Sequence, residues 1–189
     1  VQAMTFKNHT CCGHTFAAID GALHLQQTHG LAWDAIETVH VATYQPALEV
    51  AGNTSPTTAA EARFSLPFVV ATALRHGSVR LAAFTPERLA DAELRGLMAR
   101  VQLSVHPQLD ATFPGQRAAQ VRIGMRDGTQ WEHLQPTRRG DPDAPLSDAE
   151  LGEKFTELAS PVLGLHQSAA LLHRLWELDA LDNIYHLMV

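Results

Sequence analysis

The stretch Val121–Trp131, with the sequence VRIGMRDGTQW, decides the fold class because it contains two strands and the turn between them. Its apolar side chains recur at every second position, as in a strand with one buried face: Val121, Ile123 and Met125. Asp127 and Gly128 then supply a turn signal, and Trp131 lies in a second strand. We therefore expect an antiparallel hairpin.

Two earlier segments show the same alternation, which predicts strands over TVHVATY (38–44) and Val101–Val105. Helical spacing and end signals instead predict helices over residues 14–30, 57–77, 84–101, the last in two pieces, and from Ser147 onwards. Thr58 and Glu61, like Ser147 and Glu150, have the spacing of a capping box. We expect the helix over 57–77 to be one piece, bent by its proline.

The order of these elements predicts an α+β fold, a two-layer sandwich with helices on one face of a mostly antiparallel sheet. We expect the α+β domain to cover residues 1–146 and a helical segment to cover residues 147–189. Leu171, Leu172, Leu175, Trp176 and Leu178 give this segment a wide apolar band, which requires a partner on more than one side.

Composition narrows the classes of function. The 189 residues carry a formal net charge of −6 and no basic run, which argues against a nucleic-acid partner. No apolar run is long enough to span a membrane, and no signal peptide is evident. The two cysteines are adjacent and do not suit a disulfide scaffold, so we expect a cytoplasmic protein. The chain begins with Val1, and we expect it to be part of something longer.

The chemically richest stretch is Phe6–Leu23, FKNHTCCGHTFAAIDGAL, in which five reactive side chains lie just ahead of a predicted helix or at its first residue: Lys7, His9, Cys11, Cys12 and His14. A zinc site, or a metal or thiol sensor, is one interpretation, although structural zinc usually takes two separated ligand pairs. A catalytic pocket ahead of a helix N-terminus is another, because lysine binds carboxylates and histidine titrates near neutrality. A solvated loop is the third.

Arg63 lies on a mostly apolar helix, and two interpretations are open. It could anchor a substrate carboxylate, or it could be a buried arginine paired with Glu61 or another acid. The Arg-Gly-Asp tripeptide in RRGDPD (138–143) is interpreted as a turn closed by Gly140 and Pro142. The other histidines form no metal-binding spacing and are interpreted as surface or structural residues.

Four stretches, in this order and at these intervals, resemble the C-terminal part of the MmgE/PrpD family: KNHTCCGHTFAAIDGAL, EARFSLPFVVATAL, LDATFPG and RRGDPDAPLSDAELGEKFTELA. That family includes 2-methylcitrate dehydratase, cis-aconitate decarboxylase and iminodisuccinate epimerase. The resemblance implies an all-helical N-terminal domain that is missing here, with an active site between the two domains. The C-terminal helices would pack on that missing domain.

The resemblance also implies a function. Family chemistry is cofactor-free abstraction of a proton next to a carboxylate, followed by dehydration, decarboxylation or epimerisation. The full-length protein would be a lyase or isomerase acting on a small di- or tricarboxylic acid, in the cytoplasm and as a homodimer, with no nucleic acid or membrane partner. The isolated chain would be inactive. The alternative is a non-catalytic binding or dimerisation domain with a degenerate active site.

Two of the candidate site residues follow from matching positions in the family. Lys7 matches an active-site lysine of the family, and Cys12 lies in a pocket-lining loop. Many members carry Cys-Arg and then a histidine four positions after the arginine; this sequence has Cys12-Gly13, and Phe16 lies near that histidine's place. We expect His9 and His14 to compensate as catalytic residues beside Lys7. Cys12 and Arg63 would bind substrate, and no metal or cofactor is expected.

Overall fold

The computed structural model describes residues 4–187 and contains a four-stranded sheet in the order β2-β1-β3-β4. The strands are β1 Ile36–Thr43, β2 Val101–Val105, β3 Ala119–Met125 and β4 Gln130–Gln135. β1 runs parallel to β2 and antiparallel to β3, and β3 is antiparallel to β4. The sheet is therefore mixed but mostly antiparallel, and the predicted α+β class is confirmed.

The helices alternate with these strands and follow them. Their bounds are α1 Phe16–His29, α2 Gln45–Ala51, α3 Ala59–Ala62, α4 Leu66–His76, α5 Pro86–Ala90, α6 Ala92–Met98, α7 Pro107–Thr112, α8 Asp148–Leu163 and α9 Leu165–Trp176. Single 3₁₀ turns are found at Gly13–Thr15, Trp33–Ala35, Leu81–Phe84, Leu178–Ala180 and Ile184–Leu187. No helix within residues 4–187 combines the length and apolar character that crossing a bilayer requires.

The β3–β4 hairpin is present as predicted. Gly128 has a φ of 87°, which favours glycine, and its N–H donates to the carbonyl of Met125 at 3.0 Å. The Asp127 side chain accepts a hydrogen bond from the Thr129 N–H at 2.8 Å. Turn chemistry and strand alternation therefore agree at this point of the chain.

A helical layer covers one face of the sheet. α1 packs against β3 and β4, and α4 packs against α1 and β2. The buried side chains between the layers come from alternate strand positions and from the helices: Val39, Val41, Val121, Ile123, Phe16, Ile19 and Phe68. The exposed face carries polar pairs such as Arg122 and Glu132, 2.6 Å apart. Burial of the apolar face is what fixes the register of the strands.

The prediction of one helix over residues 57–77 is wrong. α3 ends at Ala62, and α4 starts again after Ser65, whose hydroxyl accepts the Phe68 N–H at 3.2 Å. Pro67 occupies the first turn of α4, where its missing N–H costs nothing. The predicted division of the next helix into two is confirmed, since Asp91 caps α6 after α5 ends.

The chain divides into two compact units, one up to Ala144 and one from Pro145 onwards. In the second unit, Ser147 and Glu150 form the predicted capping box at the start of α8. α9 buries only Ser168. Trp176 at its end is 51% exposed.

Candidate active site

The segment ahead of α1 is held in place by backbone hydrogen bonds to separate parts of the chain. The Thr10 N–H donates to Val79 at 2.9 Å, and the Cys12 N–H donates to Arg63 at 2.9 Å. The Phe6 N–H donates to Gly140 at 2.8 Å. The break between α3 and α4 therefore leaves the Arg63 carbonyl in a position to accept the Cys12 N–H of the segment ahead of α1. A continuous helix over these residues would not present that carbonyl to Cys12.

An open cavity of about 410 Å³ lies beside this segment. Its lining contains four of the five residues that were predicted to be catalytic or to bind substrate: Lys7, His9, Cys12 and Arg63. Thr10, Cys11, Gly13 and Phe64 complete it, and none of the lining residues is acidic. The volume is in the range of small-molecule sites. We call this space the Lys7 cavity.

His9 is the most firmly held polar side chain of the Lys7 cavity. It is 5% exposed, and its Nε2 lies 2.8 Å from Oδ1 of Asp20, which is also buried. The other Asp20 oxygen accepts the Arg139 N–H at 2.9 Å. A carboxylate only accepts, so Nε2 is assigned as the donor and Nδ1 keeps its lone pair. Nδ1 makes no hydrogen bond to any described residue.

Arg63 does not pair with Glu61, contrary to the structural alternative. The Glu61 carboxylate accepts hydrogen bonds from Thr57 and Thr58, which lower its pKa. The Arg63 guanidinium lies over the Phe84 ring, 5.0 Å from its centroid, and pairs with no acid within residues 4–187. Its Nε is buried without a hydrogen-bond partner. A cation that the surrounding residues leave unpaired is a suitable anion ligand.

The adjacent cysteines differ in environment. Burial raises the pKa of the Cys11 thiol to about 12. The Thr15 hydroxyl donates its proton to the Cys12 carbonyl at 2.8 Å, so the Cys11 thiol is the donor in its 3.2 Å contact with Thr15. Cys12 is half-buried and lines the Lys7 cavity. Within residues 4–187, no group of three or more His, Cys, Asp or Glu side chains is arranged to hold a metal ion.

His14 lies outside the lining of the Lys7 cavity. Its Nδ1 is 2.9 Å from the Tyr44 hydroxyl, and Tyr44 stacks on Phe113 with ring centroids 4.7 Å apart. Burial and the nearby charges of Arg117 and Arg138 lower the pKa of His14. Burial raises the pKa of Tyr44 to about 12, so the phenol stays protonated beside the His14 ring.

Gly13, where the family resemblance implies an arginine, faces a guanidinium from elsewhere in the chain. A Cβ at this position would lie 3.0 Å from Nη1 of Arg138, and that atom is 3.4 Å from the Gly13 carbonyl oxygen. Arg138 is fixed by two hydrogen bonds to Asp141, at 2.8 and 2.6 Å. The glycine therefore leaves room for Arg138, which comes from the loop after β4.

The sequence prediction missed Asp20, Tyr44, Phe113 and Arg138 as neighbours of the predicted site. For Asp20 a signal existed, since it is an acid on the apolar helix stretch FAAIDGAL and is almost fully buried. For the other three, the contacts arise between segments distant in sequence. No local pattern indicates them.

Comparison with known proteins identifies the family. The model of the MmgE/PrpD C-terminal domain matches residues 9–178, a range that contains His9, Cys12, His14 and Arg63 but not Lys7. Cis-aconitate decarboxylase of Mus musculus is 25% identical over 138 residues, which are 73% of this chain and 28% of that protein. The chain thus spans less than a third of that relative. Because the matched range covers most of its residues, the chain belongs to the MmgE/PrpD family and contains the family's C-terminal domain.

Proposed function

We propose that the Lys7 cavity is one wall of the active site of a lyase or isomerase acting on a small di- or tricarboxylic acid. The proposed reaction begins with removal of a proton next to a substrate carboxylate and uses no cofactor. The observation that carries the proposal is the convergence of two cationic side chains, Lys7 and Arg63, on a histidine held by a buried aspartate.

The lining charges favour a substrate with more than one carboxylate. Lys7 and Arg63 bring positive charge to the Lys7 cavity, and no acidic residue lines it. Arginine can hold a carboxylate by two hydrogen bonds, and lysine provides a compact charge. Phe64, which is 47% exposed, gives the wall an apolar section for the carbon skeleton.

His9 is the proposed base. Asp20 fixes the imidazole with its Nδ1 lone pair available, so Nδ1 takes the proton from the carbon next to the carboxylate. The electron pair of the broken C–H bond is delocalised into that carboxylate, where a cationic side chain stabilises the added charge. The same imidazole then returns the proton to carbon, or the electron pair expels a leaving group. His14 is given no part in this step, because it does not line the Lys7 cavity.

The remainder of the active site would come from outside this sequence. We propose that the full-length protein is a cytoplasmic homodimer in which a helical N-terminal domain closes the Lys7 cavity. The support is the family membership and the length of the Mus musculus relative, of which this chain covers 28%. A cavity that is open to solvent and lined by the cationic side chains Lys7 and Arg63 is consistent with that arrangement.

Hydrogen exchange into the substrate tests the proposal directly. Full-length protein is incubated in D₂O with citrate-like and aspartate-derived acids, and deuterium at the carbon next to the carboxylate is measured by NMR. We expect His9→Asn to slow exchange by about 10²- to 10⁴-fold, the usual contribution of a general base. Lys7→Met and Arg63→Met should raise KM, and loss of the cation that stabilises the added charge should also slow exchange at saturating substrate.

The control is His133→Asn, which removes a histidine from β4 outside the Lys7 cavity. The base assignment fails if His9→Asn exchanges at the wild-type rate. If wild-type protein binds these acids without exchanging any proton, the alternative of a non-catalytic binding domain is favoured instead.

A further inference from the structure

A second cavity, also of about 410 Å³, lies in the first unit and shares no lining residue with the Lys7 cavity. Its charged and hydroxyl side chains come from both chain ends of the unit and from the loop before β3: Thr5, Arg117, Thr137, Arg138, Asp141 and Asp143. We call this space the Arg117 cavity. The distribution of charge within it indicates the kind of ligand it would hold.

Two of the four charged side chains neutralise each other. Arg138, 9% exposed, donates from Nε and Nη2 to the two oxygens of Asp141, which also accepts from the Thr5 hydroxyl at 2.8 Å. Burial opposes ionisation, yet the hydrogen bonds from Arg138 and Thr5 hold the pKa of Asp141 below its usual range. This pair therefore forms a fixed, neutral wall.

Arg117 has no such partner. Its guanidinium lies 5.9 Å from the centroid of the Phe113 ring and pairs with no carboxylate within residues 4–187. Its charge acts on His14, whose pKa is lowered by burial, by Arg117 and by Arg138. The positive charge of Arg117 is thus present in the Arg117 cavity without a direct ion pair to a described carboxylate, although it helps to lower the pKa of Asp141.

Asp143 supplies the opposite charge. One of its oxygens accepts the Thr137 hydroxyl at 2.9 Å, and the other accepts nothing from the described residues. Asp143 and Arg117 line the same cavity but lie too far apart to form an ion pair with each other. A ligand that bridged them would satisfy both.

We propose that the Arg117 cavity binds a small zwitterion, with its carboxylate on Arg117 and its ammonium group on Asp143. A dicarboxylate is disfavoured, because its second charge would face Asp143, whose charge no described cation neutralises. A simple monocarboxylate would leave Asp143 without a counter-charge. The ligand class therefore differs from the polycarboxylate proposed for the Lys7 cavity.

The test uses ω-amino acids from glycine to 6-aminohexanoate, each compared with the carboxylic acid and the amine of the same length. Binding to the chain is measured by calorimetry, and the His14 imidazole is followed by NMR. At one or more lengths the zwitterion should bind about tenfold more tightly than either analogue, as expected for one added charge-assisted contact. Bound carboxylate should also raise the pKa of His14 towards its ordinary value of 6.5.

Variants assign the two ends of the ligand. Arg117→Gln should reduce zwitterion affinity to that of the amine, and Asp143→Asn should reduce it to that of the carboxylic acid. Arg122→Gln, which removes an exposed guanidinium outside the Arg117 cavity, should change nothing, and neither should Lys7→Met. The proposal is overturned if no length shows a preference for the zwitterion, or if Arg117→Gln binds like wild type.

Discussion

Cys11 and Cys12 are neighbours in the chain and both line the Lys7 cavity, but they differ in burial. Cys11 is 6% exposed, belongs to the hydrophobic core and donates its thiol proton to Thr15. Burial keeps the pKa of Cys11 near 12, so almost no thiolate exists at neutral pH. Cys12 is half-buried at the Lys7 cavity. The reactivity of a thiol rises with its thiolate fraction and with its solvent access, so the two cysteines should differ sharply in reactivity.

We expect iodoacetamide at about pH 8 to alkylate Cys12 and to leave Cys11 unmodified in the folded chain. Peptide mapping by mass spectrometry measures the modification at each position. In denaturant both cysteines should react, which serves as the positive control. In Cys12→Ser the folded chain should take up no label, and equal labelling of Cys11 and Cys12 would contradict the assignment of Cys11 to the core.

At the scale of single residues, the sequence predicts which residues line the Lys7 cavity better than it predicts what each of them does there. Lys7, His9 and Cys12 are close in sequence, so any loop ahead of a helix keeps them together. Arg63 joins them through the backbone hydrogen bond to Cys12, a tertiary contact that residue spacing could not predict. His14 is nearer to Cys12 in sequence than Lys7 is, yet the 3₁₀ turn Gly13–Thr15 directs it to Tyr44.

Among the elements, the junction between α3 and α4 has the clearest functional consequence. Ser65 caps α4 through the Phe68 N–H and also donates to the Asn53 carbonyl at 2.5 Å, while fully buried. An isolated β-bridge joins Ser65 to Gly52. These contacts stop α3, expose the Arg63 carbonyl to the Cys12 N–H, and so fix the loop that carries Lys7 and His9.

Ser65→Ala distinguishes this junction from the continuous helix that the sequence predicted. Loss of an N-cap and of a buried hydrogen bond should lower the free energy of unfolding by about 2 kcal/mol. In a continuous helix the same change would raise it by a few tenths of a kcal/mol, roughly, because alanine is the better helix former. Urea unfolding decides the sign. Ser78→Ala, at an exposed loop position, should change stability by less than about 0.5 kcal/mol.

Strands, caps and the hairpin could be predicted because each depends on local pattern, such as Asp127-Gly128 or the Ser147 capping box. The break at Ser65 could not, because the apolar spacing continues across it. What ends α3 is a hydrogen bond to Asn53, 12 residues earlier in the chain. Pro67 was the sequence feature that could have indicated the break. It marks the first turn of a new helix here and not a bend within one helix.

For the molecule as a whole, three histidines of the first unit share one electrostatic property. The pKa values of His14, His24 and His76 are all lowered, in each case first by burial. Neighbouring groups that can carry positive charge add to this effect: Arg117 and Arg138 for His14, His133 and His29 for His24, and Arg88 and Arg75 for His76. His24 also stacks on His133 with ring centroids 3.9 Å apart. Protonation of any of these rings brings like charges together.

A lowered histidine pKa makes stability depend on pH in a defined direction. Below the ordinary value of 6.5 the unfolded chain binds protons that the folded chain does not, so the free energy of unfolding must fall as pH falls. The loss begins at about pH 7 and precedes that from lowered carboxylates such as Glu61, which protonate below about pH 4.5. We therefore expect a positive slope of unfolding free energy against pH between about 5 and 7, measured by urea unfolding in buffers of constant ionic strength.

His76→Gln assigns part of that slope to one contact. The His76 Nε2 accepts a hydrogen bond from Arg88 at 3.0 Å, which a protonated ring could not do. A glutamine oxygen can still accept from Arg88 but does not titrate, so the variant should keep most of its stability at about pH 7 and lose less of it on acidification. The matched control, His166→Gln at an exposed position of α9, should leave the slope unchanged. Equal slopes for His76→Gln and wild type would show that the Arg88 contact does not contribute to the acid sensitivity of the fold.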